Sequence, residues 1–533
     1  MLMDCIPHYI PYQATNSFAN LALDYLQGDE KLQPYFSHPP NWEGMSAAMK
    51  ARLNFPTNRQ LLRDELMKQY EGMPLSSKLK ANLDALGNAN CFTVCTAHQP
   101  NLFSGYLYFV YKILHAIRLA DEAAKKFPGN HFVPVFFLGS EDNDLEELNH
   151  IYLDGEELVW PTRQSGAVGR MKPEQLKPLL DRIAGQMSVL PFGAELMEIL
   201  ADSYLNTASI QDASFKLVNR LFGEYGLLVL MPDNANLKRQ LSKIFEKELF
   251  EQESGSLVEA TSKTLGESYK VQVNPRDINL FYLEENIRER IVQNGSGFNV
   301  LNTDLHFSPD AMKQELQSHP DRFSPNVILR GLYQEYILPN IAFIGGGSEL
   351  AYWLELKSVF EHHGVPFPVL VLRNSFLLLS ERCMKLMNRL GLENEDLFKS
   401  PDELFNILVK KESELQLDLK KEKDEMEKYY KGLAETAGKI DKTLTRHVDA
   451  LFTKAMKKID ALEKKMLRAE KRKFESLQHQ VQELKDIVYP TGKLQERVEN
   501  ILPYYAQYGP SIIDCLYKSS LTLEQEFTVL SIG

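Results

Sequence analysis

The stretch 96–105 carries the side chains best suited to hold a polar ligand. Its sequence, T-A-H-Q-P-N-L-F-S-G, contains one imidazole (His98), two carboxamides (Gln99 and Asn101) and a closing glycine. An apolar segment precedes it and favours a buried strand, and apolar residues at intervals of three and four follow it and favour a helix. In strand–loop–helix units, ligands bind beyond the carboxyl end of the strand. The alternative is a well-capped loop whose histidine is simply hydrogen-bonded.

A second group of candidate residues follows the apolar run 132–138. Glu141, Asp142 and Asp144 stand where a parallel strand would end, so they could face the same crevice as His98. Carboxylates in such a place can hold a metal ion, orient a sugar or an amine, or act as bases. The alternative is that they only begin a helix, because the helix dipole favours Asp and Glu in the first turn.

Three consecutive glycines, Gly345, Gly346 and Gly347, come directly after the apolar segment 340–344 and are followed by Ser348 and Glu349. Ser348 is a suitable N-cap for the following helix, and glycines let backbone amides approach a ligand closely, as in phosphate-binding loops. The stretch matches neither G-x-x-x-x-G-K-[ST] nor G-x-G-x-x-G. The alternative is a tight turn from strand to helix that binds nothing.

The elements that must position these residues are short apolar runs separated by helical patterns. The runs are 91–95, 132–138, 227–231, 340–344 and 369–372. Such runs fit strands that are buried on both faces, as in parallel sheets. The pattern therefore predicts an α/β fold whose loops meet at the carboxyl edge of one sheet.

Residues 400–488 differ in kind, because Lys and Glu dominate and no proline occurs between Pro401 and Pro490. Apolar residues step by three and four, which is typical of a coiled-coil seam: Ile440, Leu444, Val448, Leu451, Ala455, Ile459, Leu462, Met466, Ala469, Leu477, Val481, Leu484 and Val488. An unbroken helix from Ile440 to Val488 would reach about 70 Å. Gly432 and Gly438 are expected to separate it from a preceding helix, which gives a hairpin arm with a solvated, mixed-charge surface.

Composition excludes several classes of protein. The net charge of −12 over 533 residues argues against non-specific nucleic-acid binding. The five cysteines (Cys5, Cys91, Cys95, Cys383 and Cys515) are few, odd in number and scattered, which predicts reduced thiols rather than a disulfide framework. No apolar stretch reaches the length of a membrane span, and the N-terminus does not resemble a signal peptide. We therefore expect a cytoplasmic protein with no membrane partner.

Taken together, these segments resemble the BshC family of bacillithiol biosynthesis, the cysteine-adding enzymes. The resemblance covers nearly the whole chain and is carried by the stretches 96–105, 133–136, 140–144, 344–347, 349–353 and 490–497, with Tyr108 and Lys112. It implies a Rossmann-like core akin to class I aminoacyl-tRNA synthetases with two connecting insertions. It also implies a homodimer and a late step in which cysteine is joined to glucosaminyl-malate.

With this resemblance, the chain divides into eight segments. They are an N-terminal helical part of the core (1–90), the first half of the Rossmann-like core (91–150), an insertion (151–210), core (211–250), a second insertion (251–325), the second half of the core (326–399), the coiled-coil arm (400–488) and a tail that packs on the core (489–533). Two features depart from the pattern that the resemblance implies. The family often carries Gln where this chain has His98, and neither H-x-G-H at 98–105 nor K-M-S-K-S after 369–372 is present.

The resemblance and the residues together give a set of expected roles. Making an amide requires an activated carboxylate and a neutral amine, so the site needs groups that stabilise negative charge and groups that take a proton. The expected catalytic residues are Glu141, Asp142 and Asp144; the expected substrate-binding residues are His98, Gln99, Asn101, Lys112 and Arg330; the expected cofactor-binding residues are Gly345, Gly346, Gly347, Ser348, Glu349 and Lys493. The expected cofactor is ATP or ADP, with Mg²⁺ as a further candidate, and no residue is assigned as a metal ligand.

Two other functions remain open from the sequence. The first is a nucleotide-binding scaffold that acts through its coiled-coil arm. The second is a nucleotidyltransferase of the same fold that acts on another substrate. Product analysis separates an enzyme from a scaffold, because only the enzyme forms a new compound from its ligands.

Overall fold

The computed structural model describes residues 4–413 and 417–533. Residues 1–3 and 414–416, which fall in the predicted segments 1–90 and 400–488, lie outside the described residues. The chain forms two compact units, one within 1–379 and 493–533 and the other within 380–492. No helix among the described residues is both long and apolar enough to cross a membrane.

The first unit is built around a sheet of five parallel strands, and all five predicted strands are confirmed. We label them in chain order β1 (Cys91–His98), β2 (His131–Leu138), β3 (Leu228–Leu230), β4 (Asn340–Gly345) and β5 (Val369–Leu372). Their order in the sheet is β5-β4-β1-β2-β3, and every neighbouring pair is parallel. The direction of winding reverses between β1 and β4, and open α/β sheets bind ligands at such a reversal.

The register of the strands aligns their carboxyl ends at one edge of the sheet. His98 pairs with Leu138, Thr96 with Ile344, and Gly345 with Leu372. The loops after β1, β2, β4 and β5 therefore leave the sheet at the same level. As a result, the three polar stretches singled out in the sequence meet, although more than 200 residues separate the first from the last.

Apolar side chains fill both faces of this sheet, which explains why its strands read as continuous apolar runs. Phe92, Val94 and Ile344 belong to one buried cluster and Cys95 and Val135 to another. The helix α1 (Leu107–Lys126) contacts β1 and β2 through its buried face. Each fully buried large apolar side chain contributes about 1.5–3 kcal/mol, so the sheet is a rigid platform for the loops.

Two insertions carry strands of their own. The first contains a hairpin around Asp154 and Gly155, formed by the antiparallel strands His150–Leu153 and Glu156–Val159. The second contributes an antiparallel sheet, whose strands are Leu280–Glu284, Ile287–Asn294, Gly297–Val300, His306–Phe307 and Phe323–Pro325.

The helices of the first unit surround these sheets. In addition to α1 and to α2 (Gly347–Leu354), they are Asn20–Gln27, Trp42–Leu53, Arg59–Gln69, Ser77–Ala85, Leu145–Leu148, Lys177–Met187, Gly193–Leu205, Ile210–Phe222, Ala235–Arg239, Ser242–Phe250, Glu253–Leu265, Pro309–Ser318, Val327–Ile337, Lys357–His363, Leu502–Tyr508 and Pro510–Ser519.

The two ends of the described chain meet in a small sheet. The strand Cys5–Pro11 pairs antiparallel with Glu526–Ile532, and Phe376–Ser380 is the third strand. A disulfide joins Cys5 to Cys515, whereas Cys91, Cys95 and Cys383 are free and buried. The prediction of five reduced thiols is therefore wrong for one pair. No spacing pattern marks this pair, because 510 residues separate the two cysteines and they meet only where the helix Pro510–Ser519 packs against the strand Cys5–Pro11.

The second unit is helical and contains the arm. Its helices are Glu381–Leu390, Pro401–Glu412, Lys420–Ile440, Lys442–Lys471 and Glu475–Val488. The predicted break at Gly432 and Gly438 is wrong, because both glycines lie inside a helix. The chain instead turns at Asp441, whose side chain accepts a hydrogen bond from the amide of Thr443 at 2.8 Å. The predicted unbroken helix from Ile440 to Val488 is also wrong, since it ends at Lys471 and restarts at Glu475.

The helices Lys420–Ile440 and Lys442–Lys471 contact each other as a hairpin. Tyr430 contacts Phe452 with ring centres 5.5 Å apart, and Lys423 pairs with Glu463 at 2.6 Å. The predicted seam is only partly correct, because Ile440 is 80% exposed and four of its other members are exposed as well: Leu444, Leu451, Leu462 and Ala469. A pair of helices buries a narrow stripe, and these five side chains lie outside it.

We expect that replacing the hairpin 420–471 by a short flexible linker leaves the first unit folded. The hairpin is nearly free of buried side chains, since the helix Lys420–Ile440 has none and the helix Lys442–Lys471 has only Glu470. Thermal unfolding and sedimentation of the shortened chain measure the effect. Loss of cooperative unfolding would contradict this expectation, whereas loss of a dimer alone would assign dimerisation to the hairpin.

Candidate functional site

A cavity of about 450 Å³ lies at the carboxyl edge of the parallel sheet, where β1 and β4 diverge. All three polar stretches of the sequence contribute to its wall. His98, Gln99 and Asn101 come from the loop after β1, Glu141 and Asp142 from the loop after β2, and Gly346, Gly347, Ser348 and Glu349 from the start of α2. The three loops therefore meet at one cavity, as the sequence predicts for the carboxyl edge of a parallel sheet.

The remaining predicted site residues are placed as follows. Arg330 lines the cavity, and its guanidinium donates a hydrogen bond to the hydroxyl of Tyr352. Gly345 ends β4 behind the wall, and Lys112 lies buried beneath it. Asp144 and Lys493 are exposed and lie outside the lining of the cavity. The structure therefore places Asp144 and Lys493 apart from the other predicted residues.

Lys112 links the two strands that diverge at the cavity. Its ammonium, 2% exposed, donates to the carbonyl of Ala97 at the end of β1 and to the carboxylate of Glu349 in α2, both at 2.6 Å. Glu349 Oε2 also accepts the amide N–H of Gly346 at 2.8 Å. Burial opposes ionisation of Glu349, but Lys112 and this amide together hold its pKa below the ordinary value. Glu349 is therefore a carboxylate whose position is fixed from both strands.

The N-terminus of α2 differs from the prediction in one detail. The N-cap is Gly346 rather than Ser348, which lies in the first turn. Without a side chain at Gly346, the cap is made by Glu349, which folds back onto the Gly346 amide. Amides in the first turn of a helix lack intrahelical acceptors. Those of Gly347 and Ser348 are therefore suited to bind an anion at the cavity wall.

The carboxylates after β2 have three different environments. Glu141 forms an ion pair with Lys238, which is fully buried. Asp142 accepts a hydrogen bond from Gln99 Nε2 at 3.1 Å, inside the cavity. Asp144 is the N-cap of the short helix Leu145–Leu148 and accepts the amide N–H of Glu147. Of the three predicted catalytic carboxylates, Asp142 thus combines cavity exposure with hydrogen bonds from Gln99 and from the Asp144 amide, and the Arg288 guanidinium acts on it electrostatically.

Comparison with known proteins matches both parts of the chain to the domains of one family. Residues 3–374 match the N-terminal Rossmann-like domain of bacillithiol biosynthesis BshC, and residues 376–532 match its C-terminal coiled-coil domain. The chain belongs to the BshC family. A relative from Flavobacterium johnsoniae named "Putative cysteine ligase BshC" is 38% identical over 534 residues, which cover 100% of both chains. Relatives of the same name from Flavobacterium psychrophilum and Christiangramia forsetii are each 37% identical and cover 98–99% of this chain and 99% of their own.

Several residues of the BshC cavity are not among those expected from the sequence. Glu147, Arg288, Arg373 and Arg497 line it and add charge. Arg373 directly follows β5, so its position at a strand end was a usable signal. Arg497 is the last residue of the segment 490–497, which carries part of the family resemblance. Arg288 comes from the second insertion, and no local pattern of the sequence marks it.

Arg373 anchors the C-terminal segment to the sheet. Its guanidinium forms two hydrogen bonds with Glu496, at 2.9 and 2.7 Å, and lies over the ring of Tyr108 at 5.1 Å. The side chains of Arg373 and Glu496 are 3% and 0% exposed. A bidentate arrangement of this kind fixes geometry as well as charge. The segment that carries Arg497 is held against the cavity by this buried pair.

The loop after β1 has a strained backbone. Phe103, Ser104 and Gly105 all have positive φ, at 50°, 69° and 62°, a conformation that residues with a side chain adopt at a cost of about 1–3 kcal/mol. A side chain on Gly105 would come within 2.7 Å of Asn101. Asn500 holds the loop by donating to the carbonyls of Phe103 and Gly105. The strain is therefore maintained by contacts from outside the loop.

Asn101 is buried, and its Oδ1 has no hydrogen-bond partner in the described part of the chain. It lines the large cavity and also a small one of about 10 Å³, which is enough for a single water molecule. This acceptor therefore lies beside both cavities with its hydrogen-bonding capacity unused in the described part of the chain.

A metal site made by protein side chains alone does not form in residues 4–413 and 417–533, where no group of three or more potential ligands could hold an ion. Mg²⁺ that accompanies a nucleotide needs fewer, since it keeps waters and phosphate oxygens and takes one or two carboxylates from the protein.

We expect His98→Gln to retain most of the activity and the shape of the pH–rate curve. Burial, with Lys112 as the second cause, lowers the pKa of His98 to about 4, so the imidazole is neutral near pH 7 and a poor proton acceptor. Gln also donates and accepts hydrogen bonds and is the residue that the family resemblance implies here. Steady-state kinetics between pH 6 and 9 test this.

A rate loss of about 10²–10⁴ with one limb of the pH profile missing would instead make His98 the base. Stability provides a second measurement. Since the unfolded His98 has a pKa near 6.5, its neutral burial makes folding less favourable as the pH falls from about 6.5 to about 4. His98→Gln should reduce this loss of stability in acid.

Proposed function

We propose that this protein joins the carboxylate of L-cysteine to the amino group of glucosaminyl-malate, the last step of bacillithiol biosynthesis, in the cavity between β1 and β4. Membership of the BshC family and the name that the relatives carry support the reaction class. The position of the cavity at the winding reversal of a parallel sheet supports a small-molecule site.

The observation that carries the proposal is that cations and carboxylates face one cavity. The basic side is the N-terminus of α2, close to Arg330, Arg373 and Lys112, where Lys112 also pairs with Glu349. The carboxylates Asp142 and Glu147 follow β2, and the Arg288 guanidinium acts on Asp142 electrostatically. The first arrangement suits an activated carboxylate and phosphate groups, and the second suits an amine. An amide-forming enzyme needs both, at a distance that one ligand pair can span.

ATP or ADP fits the basic side as a proposed cofactor. The amides of Gly347 and Ser348 and the guanidinium of Arg330 are donors to phosphate oxygens. The nucleotide would supply the activation of the cysteine carboxylate. The residues of this chain would bind it, orient the cysteine and stabilise the negative charge that develops on the carbonyl oxygen. We also propose a homodimer, as the resemblance implies, which sedimentation of the full chain tests.

Incubation of the purified protein with ATP, Mg²⁺, cysteine and glucosaminyl-malate tests the proposed reaction. Mass spectrometry should detect bacillithiol only when all four are present, together with either AMP or ADP. Protein in which Asp142 is changed to Asn serves as the matched control. Absence of bacillithiol despite thermal stabilisation by ATP would contradict the proposal and favour the scaffold or a nucleotidyltransferase, and a search for other products would separate these two.

A further inference from the structure

We propose that Glu147, which no pattern of the sequence singled out, is the group that takes the proton from the attacking amine. The inference rests on the proposed amide-forming function and assigns one further catalytic residue in the same cavity. Glu147 lies in the short helix Leu145–Leu148, and its backbone amide donates to Asp144 at the helix start. Its carboxylate lines the cavity.

The geometry pairs Glu147 with Asp142. One donor, Gln99 Nε2, contacts both carboxylates, Asp142 Oδ2 at 3.1 Å and Glu147 Oε2 at 3.5 Å. The shorter contact satisfies Asp142, whereas Glu147 receives the weaker one. Two carboxylates that share a donor divide it unequally, and the one with the longer contact keeps more of its acceptor capacity for a proton donor.

The groups that face Glu147 strengthen this division. Asp142 and Asp144 place negative charge beside it, and Tyr106 on the cavity wall interacts with it as well. Partial burial first, and then these two aspartates, raise the pKa of Glu147 above its ordinary value. A general base works best when its pKa lies close to the operating pH. Glu147 is therefore moved in the direction that a base requires.

The other titratable groups of the cavity are less suited to the task. Glu141 is committed to the buried Lys238, and Glu349 to Lys112 and the Gly346 amide. The pKa of His98, lowered to about 4, makes it a weak base. The unpartnered Oδ1 of Asn101 lines the same cavity and is an acceptor for a second N–H of the amine. An amine can thus be oriented by Asn101 and Asp142 while Glu147 takes the proton.

The proposed step is balanced as follows. The nitrogen lone pair of the amino sugar forms a bond to the carbonyl carbon of the activated cysteine, and the bond from that carbon to its leaving group breaks with the electron pair on the leaving group. The proton that the nitrogen loses passes to a carboxylate oxygen of Glu147, which then releases it to solvent. The activated cysteine is the co-reactant that the proposed function supplies.

The test compares Glu147→Gln with Glu146→Gln, a matched control at the neighbouring exposed residue of the same helix, which is not part of the cavity lining. We measure kcat and KM for both substrates between pH 6 and 9, with thermal unfolding of each variant. Glu147→Gln should lower kcat by about 10²–10⁴, leave KM for cysteine and Tm unchanged, and remove the acidic limb of the pH profile. Glu146→Gln should stay within about twofold of the unchanged protein.

Each outcome is decisive. Equal rates and pH profiles for the two variants would overturn the role of Glu147 while leaving the proposed function intact. Absence of product with the unchanged protein would overturn the proposed function itself and, with it, this role. If Glu147→Gln lowers Tm, the variant Glu147→Asp is measured in its place, because it keeps a carboxylate. It should recover part of the lost rate, and the acidic limb of its pH profile should be displaced. An undisplaced limb in that variant would also overturn the assignment.

Discussion

Arg373→Leu is expected to destabilise the protein by about 3–5 kcal/mol, the largest effect on stability that we predict. The substitution leaves the carboxylate of Glu496, which is 0% exposed, without the two hydrogen bonds that it receives from the guanidinium. An isolated buried charge of this kind cannot be solvated. Urea unfolding at neutral pH, with the free energy extrapolated to water, measures the difference.

Two controls test the cause. The double variant Arg373→Leu with Glu496→Gln removes both charges, so it should recover a large part of the lost stability. Arg382→Gln breaks an ion pair with Glu483, in which the Arg382 side chain is 86% exposed, and should change stability by less than about 1 kcal/mol. A double variant no more stable than Arg373→Leu would show that lost packing, rather than an unpaired charge, causes the effect.

Asp142→Asn is expected to lower kcat/KM for the amino substrate by about 10- to 100-fold with little change in Tm. The carboxylate lies in the cavity, accepts the Gln99 amide at 3.1 Å and is free to bind an amine. A hydrogen bond to a charged group contributes about 1.5–3 kcal/mol, which corresponds to this factor. Steady-state kinetics with varied glucosaminyl-malate provide the measurement.

The neighbouring carboxylates provide matched controls with different expected results. Asp144→Asn keeps an equally good N-cap and lies outside the cavity lining, so it should be close to neutral in stability and should change the rate only modestly, through the loss of a negative charge beside Glu147. Glu141→Gln weakens the pairing of the buried Lys238, which retains Asp233 at 3.5 Å, and should lower stability by about 1–3 kcal/mol. Full activity of all three variants would show that the acidic group only begins a helix.

The sequence alone was sufficient for the elements of the sheet and for the loops that carry the site. Strands buried on both faces leave continuous apolar runs, and this signal is local, so residue types by themselves identified β1 to β5. The polar stretches at the ends of β1, β2 and β4 were visible for the same reason. The resemblance to the BshC family also rested on these stretches and is confirmed by the matches to both of its domains.

The arm shows the limit of this local reasoning. Spacing at three and four residues correctly predicted helices, but it could not identify which apolar residues lie between them. Ile440 and Leu444 fit the predicted seam and are exposed, whereas Phe452, which contacts Tyr430, was not assigned to it. The turn lies at Asp441, because its side chain caps the second helix, whereas Gly432 and Gly438 are accommodated inside the first.

Only the tertiary structure decided which charged groups share the cavity and in what state. The order β5-β4-β1-β2-β3 places Lys112 beside Glu349 and Arg373 beside Glu496, although these partners are 237 and 123 residues apart. Burial and neighbouring charge depend on this arrangement, and they make His98 a weak base while raising the pKa of Glu147. Residue types and spacing determine which groups are present near a strand end. Their protonation and pairing follow from distances between remote segments, which a local pattern does not contain.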